Sequence, residues 1–142
     1  MAEFIRGINE VISRVRRFQQ RAATLDKPVS KGGDVMLKSI KTNFDVGGRP
    51  AFQALAASTL RSKKGSSILV EDGTLRDSFE KSPQGNKIEV GTNDIKARRH
   101  HHGYSKPGGG RGHSTTPARP YVLFQPEDIT EIGGLFRRHV IL

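Results

Sequence analysis

Between Ile68 and Asn93 the chain reads ILVEDGTLRDSFEKSPQGNKIEVGTN, and this stretch constrains the fold more than any other. Ile88 and Val90 alternate with Lys87 and Glu89 ahead of Gly91. Successive side chains of a strand point to opposite faces, so such alternation marks a half-buried strand. Pro83, Gln84, Gly85 and Asn86 form a turn cluster, with Pro presetting φ and Gly admitting positive φ. Leu75, Ser78 and Phe79 lead into it. The pattern predicts a hairpin over residues 76–92. A two-stranded hairpin is marginal in water by itself, so its apolar face needs a cover from the rest of the chain.

Helices are the available cover. Phe4, Ile8, Val11, Val15, Phe18, Ala22 and Leu25 recur at alternating spacings of four and three, a heptad seam that Ile5 and Ile12 widen. Arg6, Glu10, Arg14, Arg17 and Arg21 occupy the opposite face. A helix over residues 3–25 is roughly 33 Å long at 1.5 Å per residue. That exceeds what a small hairpin covers, so the helix overhangs the sheet or a neighbouring subunit takes the surplus. Lys27 and Pro28 are expected to end it, because the residue before Pro disfavours helix. A second helix is expected over Gly33–Phe44, with Met36, Leu37, Ile40 and Phe44 on one face and Asp34 in its first turn. Gly47, Gly48 and Pro50 break the chain, Phe52 to Leu60 reads as a short helical or irregular piece, and Lys63 to Ser67 as a basic loop. The run ARPYVLF, residues 118–124, predicts a further strand. Pro126, Glu127 and Asp128 then open a last helix, with Ile129, Ile132, Leu135 or Phe136, and Val140 as its stripe. Gly133 and Gly134 weaken it by about 1 kcal/mol each relative to Ala, which calls for a close backbone contact or a short helix.

The expected architecture is therefore α+β: a single domain over residues 1–142. An N-terminal amphipathic helix (residues 1–26) and further helices pack on a small antiparallel β-sheet, with a flexible basic loop at residues 94–118. Over residues 94–119, Lys96, Arg98, Arg99, Lys106, Arg111 and Arg119 stand against one acid, Asp94, a net charge of +5. Gly, Pro, Ser and Thr dominate there, and so polar a segment buries too little apolar surface to offset its ordering entropy. The whole chain carries +10 over 142 residues, with 34% hydrophobic residues. That balance favours an anionic contact and a modest core. There is no cysteine, so neither a disulfide framework nor a thiolate metal site is possible. No apolar run is long enough to span a bilayer, no membrane partner is expected, and the N-terminus has no apolar core of the secretory kind.

Chemistry has few handholds. Imidazoles ligate zinc, copper or nickel, but His100, His101 and His102 cannot all face one ion on regular structure. His113 and Asp94 are the only further donors nearby, so the run reads as a protonatable basic segment and no metal or other cofactor is expected. KPGGGRG, from Lys106, lacks the GxxxxGK[ST] order of a phosphate-binding loop. Ser58, Ser78 and Ser114 lie in no GxSxG elbow, and Glu71, Asp72, Asp77 and Glu80 read as solvated turn carboxylates. No enzyme is expected. Lys63, Lys64, Arg98, Arg99, Lys106 and Arg111 suit phosphate contacts. Tyr104 is the single aromatic among them, so any nucleic acid contact is electrostatic and blind to sequence.

The order of motifs resembles the phage virion morphogenesis family, the Mu G-like and P2 S-like tail completion proteins. The resemblance runs through Phe44, Gly47, Pro50-Ala51-Phe52, Leu55, Ser58-Thr59 and Lys63, then Ile68-Leu69 and Asp72-Gly73-Thr74-Leu75-Arg76-Asp77-Ser78-Phe79. It continues through Ile88-Glu89-Val90-Gly91-Thr92 to Pro117-Ala118-Arg119-Pro120-Tyr121, over residues 35–132. Phe52 stands where the family has Trp. Ala97, His100 and Gly103 fit its Tyr-Ala…His…Gly run, with Lys96 in place of Tyr. The resemblance implies a non-enzymatic virion protein, assembled in the bacterial cytoplasm. It would act at the neck, where tail tube and head connector meet, as a tail terminator or another neck component. It also implies a homo-oligomeric ring, sixfold to match the tail. In that setting Phe4, Ile8, Val11, Val15, Phe18 and Arg119 are the expected subunit or partner contacts. Lys63, Lys64, Arg98, Arg99 and Arg111 are the expected contacts with a partner or with DNA in the lumen. The alternative is a basic nucleic-acid-binding module that does not read sequence.

Overall fold

Two long helices open the chain, α1 (Ala2–Ala23) and α2 (Asp26–Val46), separated by Thr24 and Leu25. The computed structural model describes residues 2–63, 65, 67–105 and 115–141, with side chains from residue 7 onward. α1 follows the heptad seam. Pro28 does not terminate it as expected; it lies in the first turn of α2, buried. Proline is tolerated there because the first-turn N–H groups have no helical partner to lose. α2 stops at Gly47, whose φ of 79° places it in the left-handed region where glycine is favoured, and its N–H bonds back to Asn43 O.

One face of α2 makes the core. Ile40 and Phe44 join Phe52, Leu75, Phe79 and Tyr121 in a single buried cluster. The Phe44, Phe79 and Tyr121 rings lie 4.7–6.0 Å apart between centroids, in tilted and edge-on arrangements that suit aromatic quadrupoles. After the short α3 (Ala57–Ser62), a single turn α4 (Thr74–Asp77) occupies the start of the segment expected as hairpin. Asp72 accepts from Thr74 N at 3.0 Å, and Arg76 forks onto Asp45 at 2.8 and 3.1 Å, pinning α4 to the end of α2.

The hairpin itself is β1 (Glu80–Gln84) and β2 (Lys87–Gly91), paired antiparallel from Glu80↔Gly91 to Gln84↔Lys87. Gly85, at φ 60°, and Asn86 make the two-residue connection. Its cover is α2. A Cβ on Gly33 would lie 2.6 Å from Ile88 Cδ1, so α2 and β2 approach at a distance that only glycine allows. One residue away, Gly32 faces Ile132 of α6 (Pro126–Ile141). The two glycines thus seat the hairpin and the last helix on α2. α6 runs sixteen residues straight through Gly133 and Gly134. It is not short, and open space surrounds a Cβ at Gly133, so neither expected reason for those glycines holds.

Two further expectations are corrected. Residues 94–105 are not loose: α5 spans Ile95–His102, capped by Asp94 accepting from Lys96 N at 2.8 Å, and β3 (Tyr104–Ser105) pairs with β4 (Thr115–Thr116). The composition argument missed that Ala97 and His101 can pack on the aromatic cluster. The run 118–124 forms no strand. Its polar groups are taken elsewhere: Arg119 N donates to His100 O at 2.9 Å, and Tyr121 O accepts from Asn43 Nδ2 at 2.8 Å. No helix among the described residues is long and apolar enough to cross a membrane.

Candidate assembly surface

The apolar seam of α1 has almost no cover within the chain. Ile8, Val11, Ile12, Val15 and Phe18 are 42–60% exposed. The helix is held at its C-terminal end, where α6 packs beside it and His139 Nε2 donates to Arg21 O at 3.1 Å and Thr24 O at 2.6 Å. Two carbonyl acceptors require the proton to sit on Nε2. Val15 and Phe18 face Val140 and Ile141 across an open groove of about 500 Å³. A row of half-exposed aliphatic and aromatic residues on a clamped helix is an interaction surface in chemical terms. Phe4 continues the seam in sequence, but its side chain lies outside the described residues.

What α1 lacks, α6 has. Asp128 is 5% exposed and accepts from Ser39 Oγ at 2.5 Å and from Gln125 N at 3.0 Å, the second contact being the return half of a capping box. Arg49 fills the remaining acceptors. It donates to Asn43 Oδ1 at 2.8 Å, to Ser39 Oγ at 2.7 Å and O at 3.1 Å, and to Glu127 Oε1 at 2.7 Å. Gln125 Nε2 donates to Arg49 O at 2.7 Å. The network ties α2, the loop after it and α6 into one rigid body. None of its members was among the expected site residues. The signal was present: Ser39 and Asn43 sit on the apolar face of α2, where an unpaired polar group would be costly.

Arg119 lies inside the chain, 5% exposed, with Nε donating to Gln53 O at 3.1 Å and Nη2 to Ala54 O at 3.4 Å. Burial pushes its pKa down. It ties the segment after β4 to the loop before α3. Tyr121 Oη donates to Ala97 O at 2.5 Å, and burial, with Asp94 adding to it, pushes the phenol up to about 12. His100 and His101 lie under α5. Burial, then the nearby Arg119 cation, lowers His100; burial, then His102, lowers His101. His101 stands edge-on to Tyr121 at 5.1 Å and to His102 at 4.7 Å. Among the described residues, no three His, Asp or Glu side chains gather as a metal-holding group.

The basic candidates divide. Arg98 and Arg99 are exposed on α5, and the Arg99 guanidinium sits 5.0 Å from the Tyr104 ring centroid. Lys63 is half-buried, its Nζ donating to Ser67 O. Lys64, Arg111, the KPGGGRG stretch and His113 lie outside the described residues, as does most of the expected loop.

The sequence model of the phage virion morphogenesis family matches residues 6–141. The chain belongs to that family. The match reaches across α1 and α6, beyond the span over which motif order alone showed the resemblance. The chain is also 31% identical, over 128 residues, to the Mu-like prophage FluMu G protein 2 of Haemophilus influenzae, covering 90% of this chain and 87% of the relative. No solved structure matches the chain. Its role is in virion morphogenesis, and the family is a structural one, not a family of enzymes. The surfaces described above are therefore to be judged as contacts made during assembly.

Proposed function

We propose that the chain is a ring-forming subunit at the end of a phage or prophage tail, completing the tail and joining it to the head. The observation that carries this is the α1 seam: five large apolar residues 42–60% exposed on a helix fixed to the body at one end. A monomer gains nothing from that surface, whereas a neighbour in a ring buries it. Membership of the virion morphogenesis family supports the setting. Arg98 and Arg99 then face the lumen, or a neighbour, through exposed guanidinium groups.

The test is the mass of the purified protein in solution, with and without its tail-tube protein. A hexamer-sized species, or a monomer that closes into a ring on the tube end, is the expected result. A stable monomer that ignores the tube and binds duplex DNA with a steep salt dependence would overturn it.

A further inference from the structure

α1 has a complement on the same chain. A second apolar groove, of about 320 Å³, opens between α2, β2 and α6, where Met36, Ile88, Val90, Phe124, Ile132 and Phe136 line it. Phe124 is 64% exposed and Val122, at its rim, 37%. A cavity of about 150 Å³ admits benzene, so this groove has room for the Phe18 ring with Val15 beside it. At Val90 it adjoins a larger polar groove of about 910 Å³, which carries Glu80, Glu89 and Asp94 and no basic side chain. None of these three carboxylates forms an ion pair among the described residues. On a chain with 24 Lys and Arg against 14 Asp and Glu, a concave face of that sign is out of keeping with the rest.

The seam of α1 carries the opposite charge. Arg14 and Arg16 each stand about 100° round the helix from Val15, one on either side. Both are exposed; Arg16 forms no ion pair among the described residues, and Arg14 reaches only Glu10 on its own helix. An apolar ridge flanked by arginines thus matches an apolar trough bordered by carboxylates. α1 is held at α6 by His139 and its seam is exposed, so it does not fill this groove in its own chain.

We propose that α1 of one copy seats in the hairpin groove of the next, its seam against Val90 and Phe124 and its flanking arginines toward Glu80 and Glu89. The inference rests on the ring reading above and deepens it. Ridge and groove are different surfaces, so the contact is heterologous, head to tail, and closes into a ring if the rotation permits. A seam-to-seam contact would instead stop at a twofold pair.

The experiment uses two variants of the full chain, sized by sedimentation under the conditions in which the unmodified chain assembles. Val11→Asp with Val15→Asp disables the ridge. Phe124→Asp with Glu89→Lys disables the groove. All four positions are exposed, so both variants keep the monomer fold, checked by circular dichroism; Phe124→Ala replaces the second if it does not fold. Each variant alone should lose the ring-sized species. An equimolar mixture should give a two-chain species and no ring, because the intact α1 of one fits the intact groove of the other. A groove variant that assembles like the unmodified chain overturns the inference and leaves the ring reading standing. Two silent variants whose mixture forms no pair overturn it as well. An unmodified chain that never assembles removes both.

Discussion

α1 and α2 are amphipathic helices of nearly equal length, 22 and 21 residues, and in the chain they have opposite fates. On α2, Ile40 is fully buried and Phe44 is 2% exposed, beneath the hairpin and α6. On α1, Val11 is 60% exposed and Phe18 51%. Amphipathic spacing states that a face needs a cover; it does not say whether the cover belongs to the same chain. The difference lies in small residues and polar partners. α2 has Gly32 and Gly33, which bring its neighbours close, and Ser39 and Asn43, which lock them by hydrogen bonds. α1 has neither along its seam.

Paired substitutions break that comparison most sharply. Phe44→Ala should cost about 3–5 kcal/mol of unfolding free energy, the range for a large buried aromatic. Val11→Ala should change monomer stability by less than about 0.5 kcal/mol, the range for a surface position. Urea titration at low protein concentration reads both, and equal costs would mean that α1 is covered within the monomer.

A smaller effect tests the polar lock. Asp128→Ala leaves Ser39 Oγ and Gln125 N without their acceptor and the Arg49 cluster short of a carboxylate. The expected loss is roughly 1–3 kcal/mol, again by urea titration. Asp128→Asn should recover part of it, because its amide oxygen can still accept.

Glycine substitutions sharpen the comparison at about 1 kcal/mol. Gly7→Ala on α1 meets nothing within 4 Å and should stabilise the helix by up to about 1 kcal/mol. Gly33→Ala on α2 drives a methyl into Ile88. Overpacking of about 1–3 kcal/mol should cancel that gain or exceed it, and Ile88→Val in the same chain should return most of it. Thermal melts of the three variants decide this.

The last effect is a slope with pH. His100 and His101 are depressed by burial from the ordinary value of 6.5. Between that value and the folded ones the unfolded chain binds more protons, so stability is full above pH 6.5 and falls as pH drops through that window. The melting temperature should therefore be lower at pH 5.5 than at pH 7.5. His100→Gln with His101→Gln should flatten the difference, whereas a variant confined to the α1 seam should leave it unchanged.

Much of this fold was legible in the chain itself. The heptad seam located α1, the Met36–Ile40–Phe44 spacing located α2, and the Gly85-Asn86 turn between alternating residues located the hairpin. These are local signals, set by backbone periodicity and turn chemistry, and they survive without knowledge of neighbours. The family, too, was readable from motif order. α5 was not, because a helix rich in Arg and His has no apolar stripe of its own; it is held by Ala97, His101 and the Tyr121 hydroxyl reaching its backbone. The run at 118–124 read as a strand because β-type residues fill it, and no ladder receives it.

What the sequence by itself determined was which segments are helical, where the chain turns and that it carries excess positive charge. Only the tertiary structure decided which apolar faces find a cover. Burial depends on contacts between residues far apart in the chain, as Asn43 with Tyr121 and Ser39 with Asp128 show. Periodicity within one segment holds no record of those partners. The exposed seam of α1 is therefore a structural finding, although every residue in it could be read from the first line of the sequence.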